Sequence, residues 1–172
     1  ITEEKLNYLL EMRASGRDRC EDYADKFGVP FYKNQKPWSV KVDIAMPCAT
    51  QNEIGIKEAK QIIANGTKYY IEVANMPTTE EALNYLSDMD GVIVAPSKAV
   101  NAGGVCVSGL EMSQNSQRLS WTAEEVDEKL HNAMINIHKH SVEAAEKYGL
   151  GYDLVAGANI AGFEKVAEAM MA

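Results

Sequence analysis

Three observations predict an α/β fold, a Rossmann-like parallel sheet present as its later half and followed by C-terminal helices. Short β-prone runs at residues 40–46, 69–73 and 92–95 alternate with helical stretches, a βαβα order that favours parallel strands joined by crossovers. Each run ends in a turn rich in Pro, Asn, Thr or small residues, namely Pro47-Cys-Ala-Thr50, Ala74-Asn-Met-Pro77 and Pro96-Ser-Lys-Ala-Val-Asn101. After Gly104 the strands stop and three helical patterns fill the remaining residues.

The elements follow in order. Residues 2–13 form a predicted helix, because Leu6, Leu9 and Leu10 recur at helical spacing behind Thr2-Glu3-Glu4, a cap hydroxyl with two first-turn acids. Gly16 interrupts it. A second short helix carries Tyr23, Ala24 and Phe27 to the Gly28-Val-Pro30 stop, and a polar loop runs through Lys33-Asn-Gln-Lys-Pro37. Between the first two strands a helix places Ile56, Ala59, Ile62 and Ile63 on one face, with Gln51 and Asn52 as capping candidates. Between the second and third, Ala82, Leu83 and Leu86 do the same behind Thr78-Thr-Glu-Glu81, which reads as a capping box.

The three later helices are expected at residues 105–119, 122–148 and 154–171. In the middle one Thr122 and Glu125 form a capping-box pair, and Val126, Leu130, Met134 and Ile137 make an apolar stripe with Glu124, Glu128 and Lys139 outside it. Gly149 and Gly151 end it. The acid pairs Glu3-Glu4, Glu80-Glu81 and Glu124-Glu125 sit at helix starts, where they offset the dipole.

Composition narrows the function. With 172 residues and 46% hydrophobic content, one domain with its own core is expected. A net charge of −8 argues against nucleic acid and anionic membrane as partners, since both call for clustered basic charge. Cys20, Cys48 and Cys106 are odd in number and widely spaced, which suggests neither a disulfide frame nor a zinc knuckle and fits a reducing cytoplasm. No apolar run approaches the ~18–20 residues of a membrane span. His131, His138 and His140 lack the i, i+4 pairing of a helical zinc site, so no metal is expected.

Ligands of parallel α/β sheets bind beyond the carboxyl ends of the strands, and such sheets are covered on both faces. A ligand crossing that edge here would touch all three turns. Next to the third lies Asn101-Ala-Gly-Gly-Val-Cys-Val-Ser108, where Gly103 and Gly104 allow backbone to approach a bound molecule and the following helix offers free N–H groups. Asn75 has a carboxamide that both donates and accepts, although a turn-forming Asn explains it too. Val105 and Ser108 stand three apart on one helix face; a serine so placed more often bonds the preceding helical turn. Cys48 has no histidine near it in sequence and is read as a small buried apolar residue, not a nucleophile.

Taken together, Met46-Pro-Cys-Ala-Thr-Gln-Asn52, Ile71-Glu-Val-Ala-Asn-Met-Pro77, Asn101-Ala-Gly-Gly-Val and Ala156-Gly-Ala-Asn-Ile-Ala-Gly-Phe163 resemble the hexameric glutamate dehydrogenase family. The resemblance runs through all 172 residues and matches the later portion of the nucleotide domain plus C-terminal helices. It divides the single domain 1–172 into residues 1–104, a partial Rossmann-like dinucleotide-binding domain, and 105–172, helices that pack on it and line the cleft. No Gly-x-Gly-x-x-Gly turn occurs and no substrate domain is matched, so the chain reads as a fragment that is inactive alone.

The resemblance implies cofactor contacts from Cys48, Ala49, Thr50, Asn75 and Asn101, and substrate contacts from Asn101, Gly104, Val105 and Ser108. The Ser108 hydroxyl would bond the distal carboxylate of glutamate. No catalytic residue is expected in this chain, because the family's general base and carboxylate-binding cations belong to the absent substrate domain, and Lys98 is not promoted to that role. The implied reaction is reversible oxidative deamination of glutamate to 2-oxoglutarate and ammonia with NAD or NADP, NAD being preferred, in a homohexameric parent enzyme. Two alternatives remain: a branched-chain or aromatic amino-acid dehydrogenase, whose side-chain pocket is apolar, and a non-catalytic nucleotide-binding or oligomerisation module. Excised helices would also expose apolar surface and favour self-association.

Overall fold

Two helices make up Ile1–Pro37, one of two compact units into which the chain divides; the other is Trp38–Ala172. The computed structural model describes residues 1–17 and 19–172. In the first unit, α1 (Glu3–Ala14) starts at Thr2, whose hydroxyl accepts from the Lys5 N–H at 3.4 Å. Helix α2 (Cys20–Phe27) ends where Gly28 takes φ +62°, a left-handed cap that favours glycine. The Phe27 ring meets Tyr8 edge-on at 5.4 Å and lies 4.8 Å from Tyr23, and Met12 and Ala24 are buried. The Leu6, Leu9 and Leu10 stripe that signals α1 nevertheless stays 38–58% exposed. A helix pair in so short a unit has too little apolar surface to enclose both faces.

The second unit is built on a three-stranded parallel sheet in the order β1 (Ile44–Ala45), β2 (Tyr69–Ile71), β3 (Ile93–Ala95). Ile44 pairs with Tyr69 and Tyr69 with Ile93, so the register carries Ala45, Tyr70 and Val94 together onto the opposite face. That face is the core, closed by Ile54, by Ala59 and Ile62 of α3 (Ile56–Ala64), and by Ala82 and Leu86 of α4 (Glu80–Ser87). Consecutive right-handed crossovers that advance in one direction put both connecting helices on the same side. The other face is therefore open at β1 and at the start of β2, where two-sided cover was expected: Ile44 is 53% and Tyr69 43% exposed, whereas Ile93 of β3 is half-buried.

The strands are shorter than their sequence patterns. Residues 40–42 stay outside the ladder, where side chains claim two of their carbonyls: the Asn65 carboxamide donates to the Val40 oxygen at 3.4 Å and the Thr67 hydroxyl to the Val42 oxygen at 3.0 Å. Two predicted caps also differ. Helix α3 is capped at Gly55, whose N–H donates to Glu58 Oε2 at 3.1 Å, and not by Gln51 or Asn52. Helix α4 begins after Thr79 without a side-chain cap, because the Thr78 hydroxyl lies 2.6 Å from the buried Tyr70 hydroxyl. Burial pushes the Tyr70 pKa up, and the bond to Thr78 partly offsets this.

Beyond β3 come α5 (Ser97–Val100), α6 (Ala102–Gln117), α7 (Ala123–Lys147) and α8 (Leu154–Met171). Helix α6 starts three residues earlier than expected, so Gly103 and Gly104 lie inside its first turn. Helix α7 has the predicted box: the Thr122 N–H donates to Glu125 Oε2 at 2.7 Å and the Glu125 N–H to the Thr122 hydroxyl at 3.2 Å. Helices α7 and α8 cross where Ser141, Ala144, Ala145 and Gly157 are buried, small residues that let the backbones approach. Among the described residues, no helix is long and apolar enough to cross a membrane.

Candidate functional site at the carboxyl edge of the sheet

The three strand-end turns are laced to one another. The Pro47 carbonyl after β1 accepts from the N–H groups of Val73 and Ala74 after β2, at 3.2 and 2.9 Å. The Glu72 N–H donates to the Ala95 carbonyl of β3 at 3.0 Å. Asn101 Nδ2 donates to Asn75 Oδ1 at 2.6 Å, so two residues 26 positions apart meet side chain to side chain. The backbone within the edge is also unusual: Asn52 and Met76 take φ +55° and +46°, and the Asn52 N–H donates to the Met76 carbonyl at 2.9 Å. A non-glycine residue held at positive φ is a feature that clusters at ligand clamps.

Cys48, Ala49 and Thr50 form the exposed loop after β1, and Asn75 is exposed beyond β2. Cys48 is not buried as the sequence reading expected; its Sγ lies 3.2 Å from the Met46 carbonyl oxygen, which fixes the thiol at the loop surface. The two adjacent glycines have different surroundings. A Cβ on Gly103 would sit 3.2 Å from Leu130 Cδ1 and 3.5 Å from Met134 Sδ of α7, whereas one on Gly104 would meet no atom within 4 Å. Gly103 therefore serves helix packing, and Gly104 faces open space. Val105, 79% exposed, and Ser108 continue that open side along α6. Ser108 has no hydrogen-bond partner among the described residues, unlike Ser113 and Ser141, whose hydroxyls donate to the carbonyls four residues back.

Several polar contacts behind the edge carried no sequence signal of their own. Glu72 is 3% exposed and accepts the Ser97 N–H at 3.0 Å. Lys98 donates to Asn159 of α8. His131, His138 and His140 are all exposed, and His138 Nε2 is 2.7 Å from the Tyr152 hydroxyl. Among the described residues, no group of three or more His, Cys, Asp or Glu is arranged to hold a metal ion.

The open side of Gly104 gives a paired test. Gly104→Ala should leave the folded state as stable or improve it, because alanine favours a helix by about 1 kcal/mol over glycine. Gly103→Ala must displace Leu130 by a few tenths of an ångström. If Gly104 faces a ligand, its alanine variant loses the larger share of activity at unchanged melting temperature; equal activity losses for the two variants would contradict that assignment.

A parallel sheet with its carboxyl turns bound into one edge, beside a helix start that leaves backbone and a hydroxyl open, defines a Rossmann-like α/β architecture. The chain belongs to the Glutamate/Leucine/Phenylalanine/Valine dehydrogenase family, whose sequence profile matches residues 2–172. It is 70% identical over 171 residues to the NAD-specific glutamate dehydrogenase of Clostridium symbiosum, a match that spans 99% of this chain and 38% of that protein. It is 54% identical to the NADP-specific glutamate dehydrogenase of Escherichia coli strain K12 over 100% of this chain and 38% of that protein. A solved glutamate dehydrogenase superposes with a TM-score of 0.94 at 69% identity, covering 99% of this chain and 38% of its own. The chain thus spans about 38% of the length of these relatives.

Proposed function

We propose that this chain supplies the later part of the nucleotide domain and the C-terminal helices of an NAD- or NADP-dependent glutamate dehydrogenase. Residues 1–104 contribute the nucleotide edge and residues 105–172 the helices that line the cleft. The observation that carries the reading is the Asn75–Asn101 contact at 2.6 Å, which joins the turns after β2 and β3 into one surface beside the open start of α6. Relatives of both cofactor types support NAD or NADP.

The residues present suit a dinucleotide. Cys48, Ala49 and Thr50 are small and exposed at the first turn, and Asn75 and Asn101 offer carboxamides to ribose hydroxyls or the nicotinamide amide. When bound, the dinucleotide supplies the redox chemistry by accepting hydride from the substrate α-carbon. This chain's own residues bind and orient. Asn101, Gly104 and Val105 border the substrate, and the unpartnered Ser108 hydroxyl donates to the distal carboxylate of glutamate, a contact an apolar amino acid could not make. The general base and the cations for the α-carboxylate come from outside these residues.

The bare Ile44–Tyr69 row and the exposed Phe163, Val166, Met170 and Met171 of α8 support burial in a larger assembly, a homohexamer under this reading. Full-length protein carrying this sequence is expected to reduce NAD or NADP with glutamate, and the 172-residue polypeptide by itself to show no such activity. Steady-state absorbance at the reduced-nicotinamide band checks both. No turnover by the full-length protein with either nucleotide would sink the assignment; turnover by the isolated chain would refute the division of labour.

A further inference from the structure

We propose that Glu72 is a positioning residue of the glutamate dehydrogenase site, holding the β3 turn so that Asn101 meets Asn75. The inference rests on the reading of Asn101 given above.

The starting observation is a helix start that lacks its own cap. Helix α5 has Pro96 at its N-cap position, which has no side-chain acceptor to offer, and the first N–H of the helix, that of Ser97, is bonded instead by Glu72 Oε2 at 3.0 Å. The acceptor comes from 25 residues away, on the neighbouring strand exit. Burying a carboxyl group to 3% exposure is costly unless its oxygens are used, so this placement calls for an explanation.

Topology supplies one. Asn75 lies three residues after Glu72, and Asn101 lies four after Ser97, so the two chain segments run out of adjacent parallel strands side by side. They are bonded at both ends: at the base by the Ser97 N–H to Glu72, and at the tip by Asn101 Nδ2 to Asn75 Oδ1 at 2.6 Å. Between those ties, α5 is a single turn, closed by the Asn101 N–H donating to the Ser97 carbonyl at 2.9 Å. A displacement of Ser97 is thus passed rigidly to Asn101. Glu72 is itself anchored, because its own N–H donates to the Ala95 carbonyl at 3.0 Å. The tip bond alone is solvent-exposed and worth little without a fixed base.

The test uses the full-length enzyme, the single variants Glu72→Met, Glu72→Gln and Asn101→Ala, and each Glu72 change combined with Asn101→Ala to close a double-mutant cycle. Glu72→Met keeps the side-chain volume but removes the acceptor; Glu72→Gln keeps an acceptor of lower strength. Expected is a fall in kcat/KM for glutamate of roughly tenfold to a hundredfold for Glu72→Met, the range that ångström-scale misplacement produces. Glu72→Gln should recover activity to within about threefold of wild type, since a neutral acceptor still holds the amide. In an Asn101→Ala background Glu72→Met should cost little more, because its effect passes through Asn101.

Undiminished kcat/KM in folded Glu72→Met, or losses that multiply independently with those of Asn101→Ala, would overturn the proposal. A merely structural role would lower the melting temperature without that coupling. If Glu72→Met does not fold, Glu72→Gln decides at smaller amplitude: its loss must vanish in the Asn101→Ala background, and no loss or an additive one overturns the proposal. Should Asn101→Ala alone retain wild-type activity, it is the reading of Asn101 that fails.

Discussion

Gly157→Ala is expected to destabilise the fold more than any other glycine-to-alanine change in the chain. A Cβ at residue 157 would lie 1.9 Å from the Ser141 carbonyl oxygen and 2.8 Å from its carbon, with the Ala145 Cβ at 3.2 Å. The atoms in the way are mostly backbone of α7, so no side-chain rotation relieves the overlap and the two helices must part. Overpacking of a closed core costs roughly 1–3 kcal/mol and sometimes more.

A control sits five residues further along α8. A Cβ on Gly162 would meet nothing within 4 Å, so Gly162→Ala should be neutral or mildly stabilising through helix propensity alone. Thermal unfolding followed by circular dichroism in the full-length protein compares the two. Equal melting temperatures for Gly157→Ala and wild type would mean the helices do not cross this closely.

The largest expected effect on activity is that of Asn101→Ala. Its carboxamide donates to Asn75 at 2.6 Å and, under the proposed assignment, borders both cofactor and substrate. Removal leaves Asn75 free to rotate and deletes one polar group from the site, and single oriented donors in active sites are worth roughly 100-fold or more in rate. The bond is exposed, so its net contribution to stability is small, about 1 kcal/mol or less. Expected, then, is a loss of about two orders of magnitude in kcat/KM with a melting temperature within a few degrees of wild type. Wild-type kinetics in this variant would remove Asn101 from the site. A joint collapse of activity and stability would instead make it a structural residue.

Some of this was legible in the residues themselves. The α7 start could be read from Thr122 and Glu125 because both bonds of the box close within four residues. The edge location of Cys48, Ala49, Thr50, Asn75 and Asn101 followed from strand and helix alternation, since parallel strands put all their exits on one side. Local bonding and periodicity are enough for both.

Other features depended on neighbours distant in sequence. Thr78 looked like a cap, but its hydroxyl is taken by Tyr70 of β2, eight residues earlier. Glu72 was hidden inside the β-prone run at residues 69–73, and nothing near it in sequence pointed to its partner, the Ser97 N–H. Gly103 and Gly104 are indistinguishable as letters; only the approach of Leu130 and Met134 assigns one to packing and leaves the other open.

By itself the sequence determined the order and type of the main elements and the parallel class of the sheet, though not the single-turn helix α5, because hydrophobic period, turn residues and caps act over a few positions. Only the tertiary structure decided which sheet face is covered, which hydroxyls and carboxyl groups are used internally, and which remain available at the edge. Those outcomes depend on contacts between residues eight to tens of positions apart, whose distances exist only once the chain has folded.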